Sequence, residues 1–208
     1  MKRYIKSAIV PLSEEDLSTK RQISRESDPE ILEQLFYDNI NSDDWETKYF
    51  VCLGLAQNPN TPREILMQLA SNWRTDSRIL QAMALNPAAD IEILQKLKTY
   101  KLLSINSAIA QNPNVTEELL FELANYPMHP WDPKDDYSMM LCHIASNPKT
   151  PPELLAQLAT NEDPYVRSWV ARNPHTPLDT LKLLLKDANY MIQSSLGMNP
   201  NIHLLLGD

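Results

Sequence analysis

The chain has 208 residues, a net charge of −8, 43% hydrophobic residues, and three glycines against sixteen prolines. So little glycine excludes a phosphate-cradling loop and a fold built on tight hairpins, because both need backbone positions that glycine takes most easily. The acidic balance speaks against a nucleic-acid partner, which needs a basic stripe. The two cysteines, Cys52 and Cys142, form neither a disulfide framework nor a zinc or iron–sulfur motif, so no cofactor is expected.

Residues 1–26 read as an N-terminal lead or capping segment. They carry six Lys/Arg and four Asp/Glu, whereas residues 27–208 carry thirteen and twenty-three, a balance of −10. Ser13-Glu14-Glu15-Asp16 is a candidate helix cap within the lead. The longest early apolar run, Ala8-Ile9-Val10, is too short for a signal-peptide core or a membrane span, so a cytoplasmic protein without a membrane partner is expected.

From residue 27 the chain is repetitive. Asn-Pro pairs begin at Asn58, Asn86, Asn112, Asn147, Asn173 and Asn199, at spacings of 28, 26, 35, 26 and 26 residues. A period near 26 with two helical patterns per unit predicts an all-α fold: an α-solenoid of about six two-helix repeats over 27–208.

The first helix of a unit begins at boxes such as Thr61-Pro62-Arg63-Glu64, Thr150-Pro151-Pro152-Glu153 and Thr176-Pro177-Leu178-Asp179. The threonine is expected to be the N-cap, with proline at the first helical position and an acid favouring the helix dipole. Ser27-Asp28-Pro29-Glu30 and Val115-Thr116-Glu117-Glu118 are looser versions. An apolar stripe follows, as in Ile65/Leu66/Leu69 and Leu154/Leu155/Leu158.

The second helix ends at each Asn-Pro. Seven residues before the asparagine stand Val51, Ile79, Ile105, Met140, Val166 and Ile192; three before it stand Leu55, Met83, Ile109, Ile144, Val170 and Leu196. Two before it, the column reads Ala56, Ala84, Ala110, Ala145, Ala171 and Gly197, the residue size that lets successive units approach backbone to backbone. The asparagines themselves are expected to form a ladder satisfying the loop backbone. Asp163 is a candidate N-cap for the second helix of the fifth unit, with Pro164 at its first position.

The string Ala-x-Asn-Pro-x-Thr-Pro-x-x-Leu-Leu-x-x-Leu-Ala at 145–159 resembles the leucine-rich repeat variant family. That resemblance implies a right-handed superhelix of alternating α- and short 3-10-type helices, related in form to HEAT and armadillo solenoids. It implies a binding scaffold with no enzymatic activity of its own. Founding members carry a cysteine-rich iron–sulfur domain, and residues 1–26 hold no cysteine to support one.

Function is expected where the units depart from the repeat. The 35-residue spacing marks an insertion at about 126–137, containing Trp131 as a candidate anchor for a partner. Asp132, Asp135 and Asp136 lie there too, without the ligand spacing or glycine of a calcium loop. On the second helices, Tyr165, Arg167, Trp169 and Arg172 form an aromatic and arginine patch, with Met139 and His143 at the equivalent places one unit earlier. Earlier units place Gly54, Ala82 and Ala108 where His143 and Trp169 stand. Inter-unit packing by Trp169 is the competing reading.

These residues predict a non-enzymatic scaffold for a protein or peptide partner. The alternatives are a HEAT-like nucleic-acid-binding or DNA-repair protein, and a homo-oligomer joined through the apolar C-terminal end at Leu204-Leu205-Leu206.

Overall fold

The computed structural model describes residues 23, 25–41, 43–71, 76–128, 130 and 132–206. Its complete helices are α1 (Pro29–Asn39), α2 (Trp45–Gln57), α3 (Arg63–Ser71), α4 (Ser77–Leu85), α5 (Ile91–Lys98), α6 (Leu103–Gln111) and α7 (Glu117–Ala124). They continue with α8 (Lys134–Ser146), α9 (Pro152–Leu158), α10 (Pro164–Arg172), α11 (Leu178–Leu184), α12 (Tyr190–Leu196) and α13 (His203–Leu206). No strand or 3-10 segment occurs among the described residues, so the 3-10 alternation implied by the family resemblance is absent there.

The helices form two layers. Even-numbered helices, the second of each unit, pack in series from α2 through α4, α6, α8 and α10 to α12. Odd-numbered helices flank them, with α3 against α5 and α11 against α13. This is the stacked two-helix solenoid predicted from the period. Stacking is what holds helices as short as α9, α11 and α12, of seven residues each, since isolated helices below ~12–15 residues are marginal in water.

The residue columns explain the layers. Every residue at the seven-before and three-before positions is buried, as are the leucines and isoleucines of α3, α5, α7 and α9 except the half-buried Ile91 that opens α5. Ala56, Ala84, Ala110, Ala145 and Ala171 are fully buried, whereas Gly197, on the last even helix, is exposed. Gly54 shows how tight the seam is: a Cβ there would lie 2.8 Å from Ile23 Cγ2. An isoleucine on the preceding segment therefore demands glycine opposite it.

The asparagine ladder is continuous. Each of the six asparagines is buried, and its side-chain oxygen accepts the amide N–H two residues on, at 2.8–2.9 Å. Each Nδ2 reaches back into the preceding unit. Asn86 donates to Ala56 O and Asn58 O at 2.9 and 2.8 Å, and Asn112 donates to Ala84 O and Asn86 O at 2.7 and 2.8 Å. Asn173 and Asn199 repeat the pattern. Asn58 donates instead to Ile23 O and Glu26 O, so the residues before α1 supply the first rung. Asn147, which follows the insertion, keeps the bond to Ala110 O at 2.6 Å without a bond to Asn112 O.

Three expected caps are corrected. Thr61, Thr150 and Thr176 do not cap the helices that follow them. Their buried hydroxyls donate backwards to Leu55 O, Ile144 O and Val170 O at 2.7, 2.5 and 2.6 Å. The residue before proline is held extended, and the last carbonyls of the preceding helix need donors; the threonine meets that need. α9 and α11 accordingly begin after Pro151 and Pro177 with no side-chain cap. Elsewhere the caps are Asp28 rather than Ser27 for α1, then Asp44, Asp76, Asp90, Thr116, Asp163 and Asn189.

The insertion is also shorter than its sequence span. Lys134–Tyr137 extend α8 to 13 residues, leaving a connection over 125–133. Tyr126 and Tyr137 tie this region down, their hydroxyls donating to Lys101 O at 3.2 Å and Ala124 O at 3.4 Å. The lead segment before residue 23, including Ser13–Asp16, lies outside the described residues. At the other end Ile202 and Leu205 pack on the core, while Leu204 stays exposed.

Candidate functional site

Two neighbouring even helices, α10 and α12, build the site. Asp163 caps α10 by accepting from Tyr165 N at 2.8 Å, and Asn189 caps α12 by accepting from Met191 N at 2.9 Å. Arg167 braces the loops beneath. Its Nε donates to Asp187 Oδ2 at 2.8 Å, and its Nη1 donates to Asn161 O at 2.8 Å and Glu162 O at 3.1 Å. Gln193, at the same register of α12, donates to Asp187 O at 2.7 Å. The Asn189 N–H, and then the Arg167 guanidinium, hold the Asp187 carboxyl below its ordinary pKa. The register of both helices is thereby fixed.

Between these helices lies a groove of about 320 Å3, lined by Tyr165, Ser168, Trp169 and Arg172 from α10 and by Tyr190, Met191, Ser194 and Ser195 from α12. Tyr165 and Tyr190 are 61% and 79% exposed, and Trp169 is 38% exposed. The Arg172 guanidinium lies over the Trp169 ring, 5.6 Å from its centroid, a cation–π arrangement. Arg63, Arg78 and Arg167 each hold a carboxylate; among the described residues Arg172 holds none. The groove combines aromatic surface, hydroxyl donors and one positive charge.

The sequence-predicted residues divide accordingly. Tyr165, Trp169 and Arg172 line the groove together. Met139, 54% exposed, lies one helix away on α8. His143 is drawn into the seam between α6 and α8, its Nδ1 2.6 Å from Ser107 Oγ, and burial pushes its pKa below the ordinary histidine value. Arg167 belongs to the loop brace, not to the exposed patch. Trp131 lies outside the described residues. The α12 wall was readable in principle, since Met191 and Ser195 occupy the same register as Tyr165 and Trp169.

One buried polar group is unaccounted for by the repeat. Asn106 on α6 is fully buried and both of its amide atoms lack a hydrogen-bond partner. It stands where α4 has Leu80 and α8 has Leu141, and where the longer Arg167 and Gln193 reach loop carbonyls. Cys142 is likewise buried, and desolvation pushes its thiol up to about 12. Among the described residues no group of three or more His, Cys, Asp or Glu is gathered as for a metal ion, and no helix is long and apolar enough to cross a membrane.

Residues 141–186 match the Leucine Rich Repeat Variant domain. That segment runs from within α8 to just beyond α11 and includes the α10 wall of the groove. No curated protein matches the chain. The crystal structure of an engineered protein from the Northeast Structural Genomics Consortium is similar at 20% identity and a TM-score of 0.41, covering 84% of this chain and 97% of that chain.

Proposed function

We propose that this chain is a non-enzymatic repeat scaffold that binds a protein or peptide partner on the exposed face of its even-numbered helices, at the α10–α12 groove. The observation that carries this reading is the concentration of Tyr165, Trp169 and Tyr190 at one inter-helix groove, exposed and beside Arg172. Tryptophan, tyrosine and arginine are the residue types enriched at binding hot spots. Along the same register, α4 and α6 carry Ala82 and Ala108, and the change begins with the insertion before α8. Met139, exposed on α8, adds an apolar side chain at the register that Tyr165 holds on α10.

The test is affinity capture with the full chain, followed by mass spectrometry, comparing wild type, Trp169→Ala and Leu183→Ala. Leu183 is an exposed residue of α11, on the odd layer. Partners lost with Trp169→Ala and retained with Leu183→Ala are expected. Identical partner sets for all three proteins would refute the assignment of this face.

A further inference from the structure

Resting on that reading, we infer that the partner presents a short peptide with an Asp or Glu side chain next to an apolar one, the carboxylate paired with Arg172 and the apolar group seated on Trp169. The charge pattern carries this. Among the described residues Arg172 is the one charged residue lining the groove, in a chain of net charge −8. Arg63, Arg78 and Arg167 have their carboxylates within the fold, so their charge is already met. Arg172 is exposed and, among the described residues, faces an aromatic ring and no acid.

The cation–π contact with Trp169 holds the guanidinium beside the ring, while its N–H groups remain available for the paired hydrogen bonds that a carboxylate accepts. Without a negative partner, filling the groove would desolvate that cation at a cost. A basic or purely apolar segment is therefore disfavoured, and an acidic one is selected. The size limits the motif as well: about 320 Å3 is the low end of ligand pockets and holds one or two side chains. The remaining affinity comes from the exposed rings of Tyr165 and Tyr190 on either side.

A random heptapeptide library displayed on phage and selected on the full chain tests this. Enriched sequences are expected to carry Asp or Glu within two positions of Phe, Trp, Leu or Ile. A fluorescent synthetic copy of the top sequence should lose at least tenfold in affinity with Arg172→Ala and with Trp169→Ala, and none with Leu183→Ala. Arg172→Glu should abolish binding of that peptide and recover binding of a copy whose acid is changed to Lys. Circular dichroism of each variant confirms the fold, and the exposure of Arg172 makes its variants the safe ones. Enriched sequences that lack an acid, or indifference to Arg172→Ala with loss on Trp169→Ala, overturn the acidic-motif inference while leaving the binding face standing. Peptides indifferent to Trp169→Ala overturn both. A selection that enriches nothing over the starting library also overturns the inference.

Discussion

Replacing Asn112 with alanine removes two buried hydrogen bonds and one half-buried one. These are Nδ2 to Ala84 O at 2.7 Å, Nδ2 to Asn86 O at 2.8 Å, and Asn114 N to Oδ1 at 2.8 Å. Each bond contributes ~1 kcal/mol net, and a buried partner left unsatisfied costs ~1–3 kcal/mol. Asn112→Ala should therefore destabilise the chain by about 3–5 kcal/mol. The insertion supplies an internal comparison. Asn147 has one bond into the preceding unit, to Ala110 O, and one turn bond from Lys149 N. Asn147→Ala should cost about 2–3 kcal/mol, roughly one hydrogen bond less. Urea titrations of the full chain followed by far-UV circular dichroism give both values. A cost for Asn147→Ala equal to that of Asn112→Ala, or a cost for Asn112→Ala under about 1 kcal/mol, the level of an ordinary surface change, would refute a stabilising ladder.

Three further outcomes are expected. Asn106→Leu, which installs the residue found at this register in α4 and α8, should stabilise by about 1–3 kcal/mol by removing two unpartnered buried polar atoms; no gain in urea midpoint would show that the amide is satisfied in solution. Burial depresses the folded-state pKa of His143 below the unfolded value of 6.5, so its contribution to stability is complete above about that pH and declines as pH falls through the folded value. Stability measured from pH 8 to 4 should lose this component in His143→Ala, and an unchanged pH profile would remove His143 from the account. The Cys142 thiol, pushed up to about 12 and buried, should react with a disulfide reagent at pH 8 far more slowly in the native chain than in 8 M urea; equal rates would contradict its placement.

The fold was legible because a repeat writes the same physical demand several times. The alanine column and the Asn-Pro pairs each have a fixed partner one period away, so a column of identical residues reveals a contact without coordinates. What one unit cannot reveal is direction. Threonine before proline fits an N-cap by local pattern, and only the structure shows Thr150 turned back to Ile144 O. The same holds at the site. The residue columns placed Tyr165, Trp169 and Arg172 on one face, but Arg167 looked like a further member until its bonds to Asp187 and Asn161 O appeared. His143 looked equivalent to Trp169, yet it is smaller and sinks to meet Ser107. The α12 wall was legible by register alone, since Met191 and Ser195 stand where Tyr165 and Trp169 do, whereas the serines carry no signal in composition.

In the proposed function the even-layer groove, and no other face, holds the partner. The most direct measurement is the dissociation constant of one selected peptide for wild type, Trp169→Ala and Leu183→Ala, by fluorescence anisotropy on the full chain. The account predicts at least a tenfold rise in Kd for Trp169→Ala and a value within twofold of wild type for Leu183→Ala. An unchanged Kd for Trp169→Ala, or an equal loss in both variants, would contradict it.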